Sequence, residues 1–101
     1  RDYTYVGDTV RATITAMERP HGYQVYNIGN NHPLSLRELL SVFEKVTNVT
    51  ARIKEKPSHK ASVEKTYADI EKAGRELDWK PEISIEDGVA RLVEWVKKNR
   101  L

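Results

Sequence analysis

Cysteine is absent from this 101-residue chain, which excludes disulfides and thiolate metal sites. Long apolar runs are absent too. No stretch approaches the about 20 residues that span a bilayer, and no signal-peptide pattern opens the chain. Neither sign of charge dominates. Lys and Arg total 17 against 15 Asp and Glu, a net charge of +2, too small by itself to point to nucleic acid. Glycine is sparse, at positions 7, 22, 29, 74 and 88. No three of these fit the Gly-x-Gly-x-x-Gly turn that presents helix amides to a dinucleotide pyrophosphate. The histidines at 21, 32 and 59 are scattered, with no carboxylate at ligand spacing, so neither a metal site nor a catalytic triad is expected. These absences predict one domain over residues 1–101 in the cytoplasm, without membrane or nucleic-acid partners. The first residue is Arg rather than Met, and the chain opens in mid-motif, so it reads as a fragment.

What is present is an alternation of strand-like and helix-like stretches. Arg1 to Val6 reads as a short strand or extended entry. Gly7 and Asp8 open a helix through Val10, Ile14 and Met17, which share one face, and Pro20, His21 and Gly22 end it. Tyr23 to Ile28 is strand-prone, and Gly29 to Pro33 is a loop. Ser35 and Glu38 form a capping box before a helix over 36–47. Leu36, Leu39, Leu40, Phe43 and Val46 make its apolar stripe. Val49 to Ile53 reads as a strand, 54–65 as a basic loop and 66–68 as an extended piece. Asp69 is an N-cap for a helix over 70–77, which Trp79 and Pro81 stop. Ser84 with Asp87 starts the last helix, from Ile85 to about Asn99. Its residues Ile85, Val89, Leu92, Val93 and Val96 face one way. The expected order is β-α-β-α-β-β-α-α, an α/β pattern. So few strands leave a sheet face or edge open, which predicts further chain or a partner.

Three stretches resemble a known family. Lys65-Thr66-Tyr67-Ala68-Asp69-Ile70 runs on to Trp79-Lys80-Pro81. Arg1-Asp2-Tyr3-Thr4-Tyr5-Val6 precedes it, as does Val25-Tyr26-Asn27-Ile28-Gly29. Together they are similar to the last third of NAD-dependent nucleotide-sugar epimerases and dehydratases of the extended short-chain dehydrogenase/reductase type, UDP-glucuronate 4-epimerases above all. The resemblance implies the C-terminal, substrate-binding portion of such a fold, without the Gly-rich Rossmann half. NAD is implied for the full-length family and not for this chain. Relatives also use a Tyr-x-x-x-Lys pair, in which Lys lowers the Tyr pKa for proton exchange with a sugar hydroxyl. Four residues after Tyr3, Tyr5, Tyr23, Tyr26 and Tyr67 stand Gly7, Thr9, Asn27, Asn30 and Glu71, so the pair is absent and no catalytic residue is expected here.

Four residues are candidates for substrate binding. Arg1 matches the family's arginine that contacts the nucleotide diphosphate, a role suited to a planar two-pronged donor; a solvated terminal residue is the alternative. Asn30 lies with Asn27 and Gly29 at a strand end, where α/β ligand sites form, or serves turn chemistry, since Asn and Gly tolerate positive φ. His59 and Lys60 stand where relatives carry Pro-Gly-Asp near a second phosphate contact. Here the positions read His59-Lys60-Ala61-Ser62, so the family's Gly and Asp are missing, and a solvated basic loop is the alternative. Asp2 and Asp8 read as structural, the latter favourable against the helix dipole. Trp79 and Trp95 read as core or interface anchors.

The expected function is nucleotide-sugar binding within a UDP-sugar 4-epimerase-like enzyme, not catalytically complete alone. A UDP-sugar is the expected ligand, and a homodimer or an N-terminal domain the expected protein partner. The alternative is a non-catalytic module that self-associates through an exposed apolar face.

Overall fold

The stripe from Leu36 to Val46 forms the helix its spacing predicts. In the computed structural model, which describes residues 1–19 and 22–99, the elements in chain order are α1 (Val6–Glu18), α2 (Leu36–Thr47), α3 (Glu71–Leu77) and α4 (Ile85–Asn99). Ser35 Oγ accepts from Glu38 N at 3.1 Å and Glu38 Oε2 accepts from Ser35 N at 2.9 Å, so the capping box of α2 closes in both directions. Asn48 ends α2 in the left-handed region at φ 56°, a conformation Asn adopts at low cost. Pro20 and His21, expected to end α1, lie outside the described residues.

The start of α3 differs by one residue from expectation. Ile70 is its N-cap. Asp69 Oδ1 instead accepts from Glu71 N, two residues on, at 3.0 Å, an Asx-type turn placed just before the helix. At the other end Asp78 takes φ 50°, and Trp79 N donates to Ala73 O at 3.3 Å. Ser84 Oγ accepts from Asp87 N at 3.1 Å and opens α4 as expected.

The strands expected at 1–6, 23–28, 49–53 and 66–68 do not form: no β-strand occurs among the described residues. The α/β expectation is corrected for this chain to helices joined by extended segments. A strand needs a neighbour for its backbone hydrogen bonds, and these segments do not supply one to each other. Side chains serve several of their backbone groups instead. Asp2 N donates to Thr66 Oγ1 at 2.9 Å, Ala51 N donates to Glu44 Oε2 at 2.9 Å, and Lys72 Nζ donates to Val25 O at 2.8 Å. β-Branched and aromatic residues favour a pleated, half-buried surface, and that preference is not met without an adjoining strand.

The helices pack in two pairs, α1 on α3 and α2 on α4. Ala12, Ala73, Leu77 and Trp79 form the core of the first pair, and Ala16, Tyr26, Ile28 and Ile70 pack around it. Small residues on both helices allow this close approach. Asp8, in the first turn of α1, is 2% exposed. Its carboxylate accepts from Glu82 N and Ile83 N, each at 3.2 Å, and from Arg11 Nη2 at 3.0 Å. Trp79 Nε1 donates to Asp8 O at 2.9 Å, and the Arg11 guanidinium lies 5.7 Å from the Trp79 ring centre. Asp8 thus does more than oppose a helix dipole: it joins α1 to the turn before α4.

The apolar face predicted for α1 does not become core. Val10, Ile14 and Met17 are 49%, 50% and 74% exposed. The helix buries its small face, Ala12 and Ala16, and leaves its large one outward. The whole molecule is a slab of 48 × 36 × 20 Å with a Cα radius of gyration of 16.1 Å, against about 13 Å for a compact domain of 100 residues.

Candidate functional site

Two of the stretches that carry the family resemblance, and the loop that follows the third, meet at one carboxylate. Asp2 Oδ2 accepts from Asn31 N and from Ala68 N, each at 3.1 Å, and Oδ1 accepts from His32 N at 3.2 Å. The Asp2 backbone adds its bond to Thr66. Next to it, Arg1 and Leu34 exchange both backbone bonds, at 2.7 and 2.8 Å. Arg1 is therefore not frayed: its side chain is exposed, but its backbone is stapled to the 29–34 loop. That loop turns at Asn31, φ 54°. Gly29 is buried within the clasp, and a Cβ there would lie 2.5 Å from Ala68 Cβ and 2.7 Å from Asp2 Oδ2. The positive φ expected around Asn27 to Asn30 thus falls on Asn31, and Gly29 is required by close approach rather than by its φ.

Beside the clasp, α2 and α4 enclose an apolar cleft of about 550 Å³. Tyr5, Leu39, Phe43, Ile83, Val89 and Trp95 supply apolar walls, and Asn30 stands among the lining residues. Only Val89 on the two helices is buried, while Leu92 and Trp95 are half exposed. The Arg91 guanidinium sits 5.4 Å from the Tyr5 ring centre at this cleft. Aromatic walls with a cation and an amide can hold a partly apolar ligand face and orient its polar groups.

Of the four residues singled out for binding, Arg1 and Asn30 fall beside the Asp2 clasp. His59 and Lys60 lie in the exposed loop. His59 Nδ1 accepts from Ala61 N at 3.2 Å, and His59 O accepts from Ser62 N at 2.9 Å, a self-contained turn. No hydrogen bond or ion pair among the described residues joins any two of the four. The basic loop is tied back by an ion pair between Arg37 of α2 and Glu55, both largely exposed. Two features escaped the sequence: the number of amides Asp2 gathers, and the cleft. The signal for the first was a Gly-Asn-Asn loop with amides in need of an acceptor. The second had none beyond large aromatics on two separate helices.

The glycines do not form a dinucleotide-binding turn. They serve other ends: Gly22 takes φ 67°, Gly29 admits the clasp, and Gly7, Gly74 and Gly88 lie within helices. Among the described residues no helix is long and apolar enough to cross a membrane.

A family model described as GDP-mannose 4,6 dehydratase matches residues 1–92. The UDP-glucuronate 4-epimerase of Thermodesulfobacterium geofontis is 41% identical over 98% of this chain and 31% of its own length. The crystal structure of Thermotoga maritima UDP-glucose 4-epimerase with UDP-glucose matches with a TM-score of 0.92 and 35% identity, over 100% of this chain and 32% of that one. The Bacillus cereus UDP-glucuronic acid 4-epimerase, in complex with UDP-glucuronic acid and NAD, matches with a TM-score of 0.91 and 31% identity, over 98% and 32%. The chain thus spans about a third of the length of these relatives. With residues 1–92 under that model, it belongs to the GDP-mannose 4,6 dehydratase family, among the extended short-chain dehydrogenases/reductases.

Proposed function

We propose that this chain is the nucleotide-sugar-binding segment of a UDP-sugar 4-epimerase-like enzyme and does not complete the reaction alone. The observation that carries the reading is the meeting of Arg1, the 29–34 loop and Ala68 at Asp2. It occurs in a fold like that of an epimerase crystallised with UDP-glucuronic acid and NAD. Arg1 is the diphosphate contact, and Asn30 lines the adjoining cleft. His59 and Lys60 add positive potential from the loop. The hydride chemistry belongs to NAD and to residues outside this chain, which has neither the glycine turn nor the Tyr-x-x-x-Lys pair.

Calorimetric titration with UDP, UDP-glucuronate and NAD tests the proposal, with the solution mass measured on the same sample. The expected result is binding of UDP and UDP-glucuronate but not NAD. Arg1→Ala should weaken UDP binding by about tenfold, as befits one charge-assisted contact. Failure to bind any of the three, with a dimeric mass, overturns the reading. It would favour a module that self-associates through the outward face of α1, where Val6, Val10, Ile14 and Met17 are all exposed.

A further inference from the structure

We propose that Asp2 is the positioning residue of this site. By holding the amides of Asn31, His32 and Ala68, it sets where Arg1 stands relative to the Asn30 loop and to the end of the basic loop. The inference rests on the reading of Arg1 as a diphosphate contact. A carboxylate that only capped a turn would accept amides from its own neighbourhood. Asp2 reaches 29, 30 and 66 residues along the chain. The segments it joins lie outside the helices and are joined by no strand ladder, so their mutual arrangement depends on such individual bonds. Two bonds to Leu34 then hold Arg1 to the same loop, so a shift of the loop against Ala68 moves Arg1 with it. The core around Ala12, Ala73, Leu77 and Trp79 does not include Asp2. Its charge can therefore be removed without opening the helix packing.

Two substitutions probe the clasp independently. Asp2→Asn keeps the size but puts an amide where an oxygen received N–H groups. Gly29→Ala keeps the charge but drives a methyl into Asp2 Oδ2 and Ala68 Cβ, at 2.7 and 2.5 Å. Binding of UDP and of uridine is followed by ¹⁵N NMR, and helix melting by circular dichroism. In each variant UDP should bind about tenfold more weakly while uridine stays within about twofold, because only the phosphate contact is misplaced. The amides of Asn31, His32 and Ala68 should shift in both variants, and the double variant should lose no more than either single one. Wild-type affinity for UDP in Asp2→Asn overturns the positioning role and leaves the binding reading intact. Equal loss of UDP and uridine together with early melting overturns it as well, leaving a structural tie. If the wild-type chain binds no UDP, both readings fall.

Discussion

The two helix pairs meet through apolar residues of different size and end in different states. Between α1 and α3, alanines let the backbones approach, and Trp79 closes the gap at 2% exposure. Asp8 then ties the ends together with bonds from three donors. Between α2 and α4 the facing residues are large, among them Leu39, Phe43, Leu92 and Trp95, and with the 3–6 segment they line a cleft of about 550 Å³. Burial in a small chain thus depends less on how apolar a helix is than on whether opposing side chains are of complementary size. The second pair carries the more regular stripe and the complete capping box, yet α2 has no buried residue. The first pair carries the core, and the second offers a surface beside the candidate site.

The contrast can be broken by substitution. Trp79→Ala should have the largest effect, about 3–5 kcal/mol lost, since it empties the core and leaves the Asp8 carbonyl without its indole donor. Asp8→Ala should follow at about 3 kcal/mol, because the amides of Glu82 and Ile83 lose their acceptor and Arg11 its buried partner. Urea unfolding measures both. Trp95→Ala should cost less than about 1 kcal/mol, as half of that side chain already meets water. A loss equal to that of Trp79→Ala would mean that the cleft is closed in solution.

The smallest expected effect sharpens the first pair. Desolvation, followed by the charge and hydrogen bond of Glu76, raises the Tyr26 phenol above its ordinary value of 10.0. The folded chain therefore keeps that proton where the unfolded chain has lost it. The stabilisation is complete below the unfolded value and is lost as pH rises through the folded one. Tyr26→Phe should flatten this high-pH decline, read from urea midpoints on either side of pH about 10.

The sequence is most legible where structure is local. The capping pair Ser35 and Glu38 bounds α2 from within four residues, and Ser84 does the same for the start of α4. The cap expected at Asp69 is off by one, because that side chain can satisfy either a cap or an Asx turn. Strands are expected at 1–6, 23–28, 49–53 and 66–68 but do not form, because composition records a preference for pairing but not whether a neighbour exists. Arg1 and Asn30 lie beside a common clasp, while His59 and Lys60 stay on a loop whose turn is held by its own backbone. Proximity between segments dozens of residues apart is not written in either segment.

The sequence by itself determined the helices, the starting caps of α2 and α4 and the family, since periodicity, capping chemistry and motif order all operate within a few residues. Tertiary structure decided which face of α1 is buried, that Asp8 and Asp2 each tie distant segments, and that a cleft opens beside the packed pair α2 and α4. Those outcomes depend on how closely particular side chains can approach one another in space, and spacing along the chain does not set that distance.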